Sequence, residues 1–299
     1  MEVIIKLFDV LFPVFLSIGI GYWYGKRDPN FNTQIITTFA GNIGLPAIIF
    51  YSLTISDIDI QTFLKFSKYI IYYVFIFSII GVLIIKIFKQ DIYRLLPPII
   101  LPNTGNMGMP ICLFAYGTSG LGVASAVASV IILLHFTLGV LLAKKSFSID
   151  ILIKNVPIYA IVASVIFLYF KWDVPGYIEN TTFLLTYTTI FLVLMSLGIA
   201  LSRFQVVSWS KASILGAVRV IIGPIIGLGL IRFLNLDGFA AGVLLIQSAM
   251  PSAVLTYLVG SMYSERKVVD SVASVIVTST VMSLITVPIV VFYSLKYFQ

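Results

Sequence analysis

The chain has 299 residues, 60% of them hydrophobic and only 10% charged, where a soluble domain carries about 25% charged residues. That balance excludes an ordinary soluble domain and predicts an all-α, multi-pass membrane protein. The formal charge of +7 comes from Lys and Arg set singly and in pairs between apolar runs, the pattern of cytoplasmic loops and not of a nucleic-acid-binding surface. One cysteine, Cys112, and one histidine, His135, allow no internal disulfide and no protein-built metal site of the usual kinds. No cofactor is expected.

A run of about 20 apolar residues crosses a bilayer core. Ten such spans follow one another: 4–25, 32–53, 63–87, 94–116, 120–143, 151–170, 182–202, 210–232, 238–262 and 270–294. The breaks between them are short and carry the charges: 26–29, 56–59, 89–94, 144–150, 171–179, 203–208, Asp237 and 264–270. The first span lacks an Ala-x-Ala cleavage site and is followed by Lys26-Arg27, so it is read as a retained helix. Twelve Lys and Arg lie in or beside the loops after odd-numbered spans and six on the opposite side. This asymmetry predicts odd-numbered loops in the cytoplasm and both termini outside the cell membrane.

Span 4 holds the most unusual stretch, Pro102-Asn103-Thr104-Gly105-Asn106-Met107-Gly108-Met109-Pro110. Six of these nine residues are Pro, Gly or Asn, all poor helix formers. Pro110 lacks an N–H and clashes with the carbonyl four residues earlier, so it is expected to break the ladder. Gly105 and Gly108 are expected to let the backbone turn. Freed backbone groups in hydrocarbon require protein or a water-filled cavity to satisfy them. The stretch therefore predicts a broken helix lining a solute site at mid-membrane, with a purely structural kink as the alternative. Asn103, Thr104, Asn106 and Pro110 are the candidate solute-binding residues.

Span 9 carries Gln247-Ser248-Ala249-Met250-Pro251-Ser252. Pro251 marks a second break, or an ordinary proline kink. If both helices break and cross, their half-helix N–H ends favour an anionic group there, with Gln247, Ser248, Pro251 and Ser252 adding neutral contacts. Span 2 repeats the spacing in Gly41-Asn42-Ile43-Gly44-Leu45-Pro46; Asn42 either faces the same cavity or sits in a packing helix of small residues. Arg219 lies inside span 8, five residues before Pro224. It is a candidate for solute binding or gating, against the alternatives of snorkelling towards the inner loop or pairing. His135, deep in span 5, is a candidate proton relay or a hydrogen-bonded core residue.

The two halves echo each other. Val127-Ala128-Ser129-Val130-Ile131 begins 17 residues after Pro110, and Val272-Ala273-Ser274-Val275-Ile276 begins 21 after Pro251. A unit of five spans enters the membrane the second time upside down, which is the inverted-repeat plan of many secondary transporters. The expected units are 1–146 and 147–299. No His-Glu-x-x-His, phosphate-binding Gly-rich loop or pair of deep acidic residues is present, so the chain is not expected to be an enzyme. The rival functions are a membrane receptor that binds a solute without moving it and an ion channel.

At these stretches the chain resembles the auxin efflux carrier family, which has plant and prokaryotic members. The similar residues are Asn103-Thr104-Gly105-Asn106 through Pro110, Gln247 through Pro251, Val272 to Tyr293, and Ala217-Val218-Arg219-Val220 with Gly223-Pro224. The resemblance implies ten helices in two inverted five-helix repeats. Helices 1, 2, 6 and 7 would form a scaffold, helices 3–5 and 8–10 a transport domain, with helices 4 and 9 broken where they cross. It also implies elevator-like movement and a homodimer. Plant members carry Asn-Pro-Asn where this chain has Asn103-Thr104-Gly105-Asn106, which points away from auxin. Prokaryotic members imply a small organic anion such as malonate or malate, moved alone or with a proton or sodium. A sodium-coupled symporter of the bile-acid type shares the broad architecture and remains the alternative.

Overall fold

A computed structural model describes residues 1–56, 58–146 and 149–299. The boundary expected at 146/147 abuts Phe147 and Ser148, and the break expected at 56–59 contains Asp57; these three residues lie outside the described ones. The chain is all helical. Among the described residues its single β feature is one isolated antiparallel bridge, Pro102 to Ser252.

Eleven helices are named here: α1 (Glu2–Arg27), α2 (Gln34–Ile55), α3 (Ile60–Ile87), α4 (Ile92–Ile100), α5 (Thr104–Lys144), α6 (Val156–Phe170), α7 (Gly176–Arg203), α8 (Trp209–Phe233), α9 (Gly238–Ser248), α10 (Val254–Tyr263) and α11 (Arg266–Tyr297). Among the described residues, seven are long and apolar enough to cross a membrane: α1, α2, α3, α5, α7, α8 and α11. The helices α6, α9 and α10 are shorter and apolar. Within α5 the backbone breaks at Tyr116 and Gly117, where Gly117 takes φ 68, a conformation that glycine adopts without steric cost. The α3 start is capped by Asp59, whose carboxylate accepts the Thr62 N–H at 2.8 Å. Hydrogen bonds from Thr62 hold that carboxyl below the ordinary carboxylate range.

Among the described residues four helical turns widen to π geometry: Ala40–Gly44, Thr104–Gly108, His135–Gly139 and Val218–Ile222. Three of them end two residues before a proline: Pro46, Pro110 and Pro224. A proline ring strikes the carbonyl four residues earlier in a regular helix, and the wider turn moves that carbonyl aside. This corrects the expectation at Pro110. The proline is absorbed in a π turn, while helical geometry is lost earlier, between Ile100 and Thr104. Gly108 likewise sits at ordinary helical angles, φ -68 and ψ -45, so it is not there to turn the chain.

Helix α1 packs along α7, and α2 packs on α6 and α7. At the α1–α7 contact a Cβ on Gly21 would strike the Met195 backbone, and one on Gly198 would strike the backbone at Ile18 and Tyr22. Small residues let membrane helices approach this closely. Gly21→Leu and Gly198→Leu are each expected to destabilise the fold by about 1–3 kcal/mol, read as a lower thermal midpoint in detergent. Gly19→Leu, two residues away on another face of α1 with open space at its Cβ position, should leave the midpoint unchanged.

Candidate functional site

The two interruptions in the helices meet. Asn103 donates its N–H to the Pro251 carbonyl at 2.8 Å, and Ala253 donates its N–H to the Leu101 carbonyl at 3.2 Å. Four helix ends converge on this bridge: the C-termini of α4 and α9 and the N-termini of α5 and α10. Asn103 itself has φ -77 and ψ 56, and Thr104 N–H reaches the Pro102 carbonyl at 2.8 Å, which is an inverse γ-turn.

Each interruption frees carbonyls that a continuous helix would use, and nearly all of them can be traced. Pro102 has no N–H to give Pro98, so the Pro98 carbonyl accepts from the Ser252 hydroxyl at 2.5 Å. Ile99 loses Asn103 to the bridge and accepts from Arg219 Nη1 at 2.9 Å. Ser248 loses the Ser252 N–H to Ser279 Oγ and accepts from Arg219 Nη2 at 2.6 Å. Met250 accepts from Arg219 Nε at 2.9 Å. Arg219 Nη2 also donates to Tyr73 Oη at 2.8 Å, whose hydroxyl in turn donates to the Ser248 carbonyl at 3.0 Å.

Arg219 is therefore a clamp. It is fully buried, with the Phe77 ring 4.9 Å from its guanidinium. Among the described residues no carboxylate pairs with it. Its charge is balanced by carbonyls at the negative ends of two helices, and its planar fork suits several acceptors at once. It does not snorkel, and in this conformation it points at backbone.

The N-terminal ends are left open. The N–H groups of Gly105 and Asn106, and of Val254 and Leu255, find no acceptor among the described residues. All four residues are half-buried, whereas Leu101 to Thr104 and Met250 to Ala253 are buried. Asn103 is 3% exposed and its Nδ2 has no partner. Gln247 is fully buried with Oε1 unpartnered, its Nε2 lying 3.5 Å from the Ala124 carbonyl. A Cβ on Gly108 would collide with this amide, so Gly108 makes room for Gln247.

The structure thus gathers Asn103, Thr104, Asn106, Gln247, Pro251 and Ser252 around the bridge, with Pro110 two residues beyond the π turn of α5. Ser248 contributes its carbonyl; its hydroxyl bonds back to Leu245 within α9 at 2.7 Å. Asn42 is exposed on α2, and its π turn packs on α6 and α7. His135 lies off the bridge, in a narrow cleft of about 20 Å³ that it lines with Leu101, Thr256, Tyr93 and Arg94. Sequence reasoning missed Tyr73, Tyr69 and Ser279. The two tyrosines stand four apart on one face of α3, and Tyr69 Oη donates to the Gly227 carbonyl at 3.1 Å. Paired hydroxyls at that spacing in an apolar span were the available signal.

Arg219→Met would leave the Ile99 and Met250 carbonyls without a donor and the Ser248 carbonyl with Tyr73 Oη alone, at about 1–3 kcal/mol for each orphaned group. It is expected to yield unfolded or aggregated protein on size-exclusion chromatography. Arg219→Lys, with a single ammonium for spread acceptors, should fold with a clearly lowered thermal midpoint. Tyr73→Phe should cost about 1 kcal/mol of stability.

The profile of the family described as membrane transport protein matches residues 7–152 and 147–291. An uncharacterized transporter of Methanocaldococcus jannaschii is 28% identical over 302 residues, covering 93% of this chain and 96% of the relative. An uncharacterized transporter of Methanothermobacter thermautotrophicus is 29% identical over 194 residues, covering 62% of this chain and 63% of the relative. The chain is a multi-pass membrane protein and belongs to the membrane transport protein family, that of the auxin efflux carriers.

Proposed function

We propose that this protein is a secondary transporter, active or facilitative, that carries a small organic anion bearing a carboxylate across the cell membrane by alternating access. The observation that carries the reading is the imbalance at the bridge. The negative ends of α4 and α9 are occupied by Arg219, while the positive ends of α5 and α10 offer free N–H groups at half-buried residues. Backbone N–H groups at a helix N-terminus favour an anion. A carboxylate placed there is within reach of the amides of Asn103 and Asn106, and Gln247 Oε1 can accept a hydrogen bond from a protonated or hydroxyl group of the same solute.

Ten membrane crossings in two inverted repeats follow if α4 with the first leg of α5 counts as one span, the second leg of α5 as another, and α9 with α10 as a third. The packing supports an elevator-like division. Polar clamps from Tyr69, Tyr73 and Arg219 tie α3, α4, α8 and α9 together. By contrast, α1, α2, α6 and α7 pack mainly on one another. The first group with α5, α10 and α11 is the moving body, and the second is the scaffold. On this reading both termini lie outside, and the scaffold is the surface for homodimer formation.

Proteoliposomes supplied with radiolabelled malonate and malate test the proposal. Uptake is expected for the wild type, to be abolished by Asn106→Ala, and to fall at least about tenfold with Asn106→Asp, where a fixed negative charge opposes the anion. Both variants should remain monodisperse. Unchanged uptake in Asn106→Ala would remove the bridge from the mechanism. Saturable binding without flux would make the protein a solute receptor.

A further inference from the structure

His135 opens the π turn His135–Gly139, the one π turn of the four not followed two residues on by a proline. Single π turns inside helices recur at functional sites. Its Nδ1 lies 2.8 Å from the Ile131 carbonyl. A carbonyl only accepts, so Nδ1 carries the proton, and the neutral ring presents its lone pair at Nε2. That nitrogen is buried, in a residue 2% exposed, and has no partner. It lines a cleft of about 20 Å³, room for one water. The cleft runs from Arg94 and Ser264, beside the basic loops, to Leu101, which is itself bonded into the bridge.

The groups around the ring are few. Tyr93 and Arg94 line the cleft from α4, and Arg94 is held by Asp91 at 2.8 Å. Helix α10 contributes Thr256, Val259 and Gly260, and α11 contributes Val268 and Val272, none of them titratable. The turn Ile149–Ile153 also packs on this part of α5 and carries the exposed Asp150.

We propose that His135 is the proton-binding group that couples the movement of the solute to protons; this rests on the transporter reading above. A hydronium ion in the cleft gives its proton to Nε2, whose lone pair forms the new N–H bond, leaving water and an imidazolium. Arg94 beside the cleft disfavours that second positive charge, and an anion arriving at the neighbouring bridge restores the balance. Proton and anion therefore favour each other's binding by the same factor, and both leave when the site opens to the other side.

The test uses proteoliposomes with the full chain and radiolabelled malonate. For the wild type, a gradient of one pH unit should drive about tenfold accumulation at one proton per solute. His135→Gln should lose the response to the gradient, and whatever malonate exchange it retains at equal pH should no longer vary with the pH of the buffer. A gradient response retained in His135→Gln, or absent in the wild type while exchange proceeds, overturns the proposal. If the wild type moves no malonate in any arm, the transport reading has failed instead. The proton-binding step at His135 is then decided by itself on the same protein labelled with 15N at its single histidine. An imidazole resonance that titrates, and turns reactive to diethyl pyrocarbonate with deprotonation, supports it. One that stays neutral and unreactive between about pH 8 and about pH 5 overturns it, and the same measurement replaces His135→Gln should that variant not fold.

Discussion

The structure depends on one buried cation. An interrupted helix in hydrocarbon is untenable unless its freed carbonyls find donors, and here two interruptions share a single arginine. Arg219 reaches Ile99, Ser248 and Met250 at once, so neither interruption is satisfied without the other. The side chain comes from α8, which belongs to neither interrupted strand of chain. Its π turn, Val218–Ile222, places the guanidinium, and Pro224 two residues later accounts for that turn. A residue type that is costly inside a membrane is stable here because the backbone itself supplies the counter-charge.

That arrangement also explains the polarity of the site. With the carbonyl ends neutralised, the remaining field near the bridge comes from unpaired N–H groups and from the amides of Asn103 and Gln247. The result is a mainly donor-rich spot in an otherwise apolar protein, flanked by small residues such as Gly105 and Gly108. Gln247 enters because Gly108 has no Cβ to exclude it, which ties an amide of α9 to a glycine of α5. Serine hydroxyls finish the accounting: Ser252 caps Pro98 and Ser279 holds the Ser252 N–H.

Much of this was legible in the sequence. The apolar runs and their charged breaks mark where the helices lie, because hydropathy over about 20 residues is a strong signal. The run of Pro, Gly and Asn at 102–110 locates the first interruption to within a few residues. The exact place was misjudged because Pro110 looked like the breaker, whereas the prolines that matter are Pro102, which deprives Pro98 of its partner, and Pro251. A π turn absorbs Pro110, and a proline in the sequence does not by itself say whether the helix breaks or widens. Arg219 stood out by type and depth, but its partners are backbone carbonyls 29 to 120 residues away in sequence. Carbonyls have no identity in a sequence, so such contacts are visible only once the chain is folded. Asn42 shows the opposite case, a motif match whose side chain the fold leaves exposed on α2.

The bridge between Pro102 and Ser252 is made of main chain on both sides. Its two hydrogen bonds use no side chain at 103 to 106, so the frame can persist while those positions diverge, provided that 103 keeps its N–H. The frame therefore sets where the chain crosses without setting which amides surround the crossing.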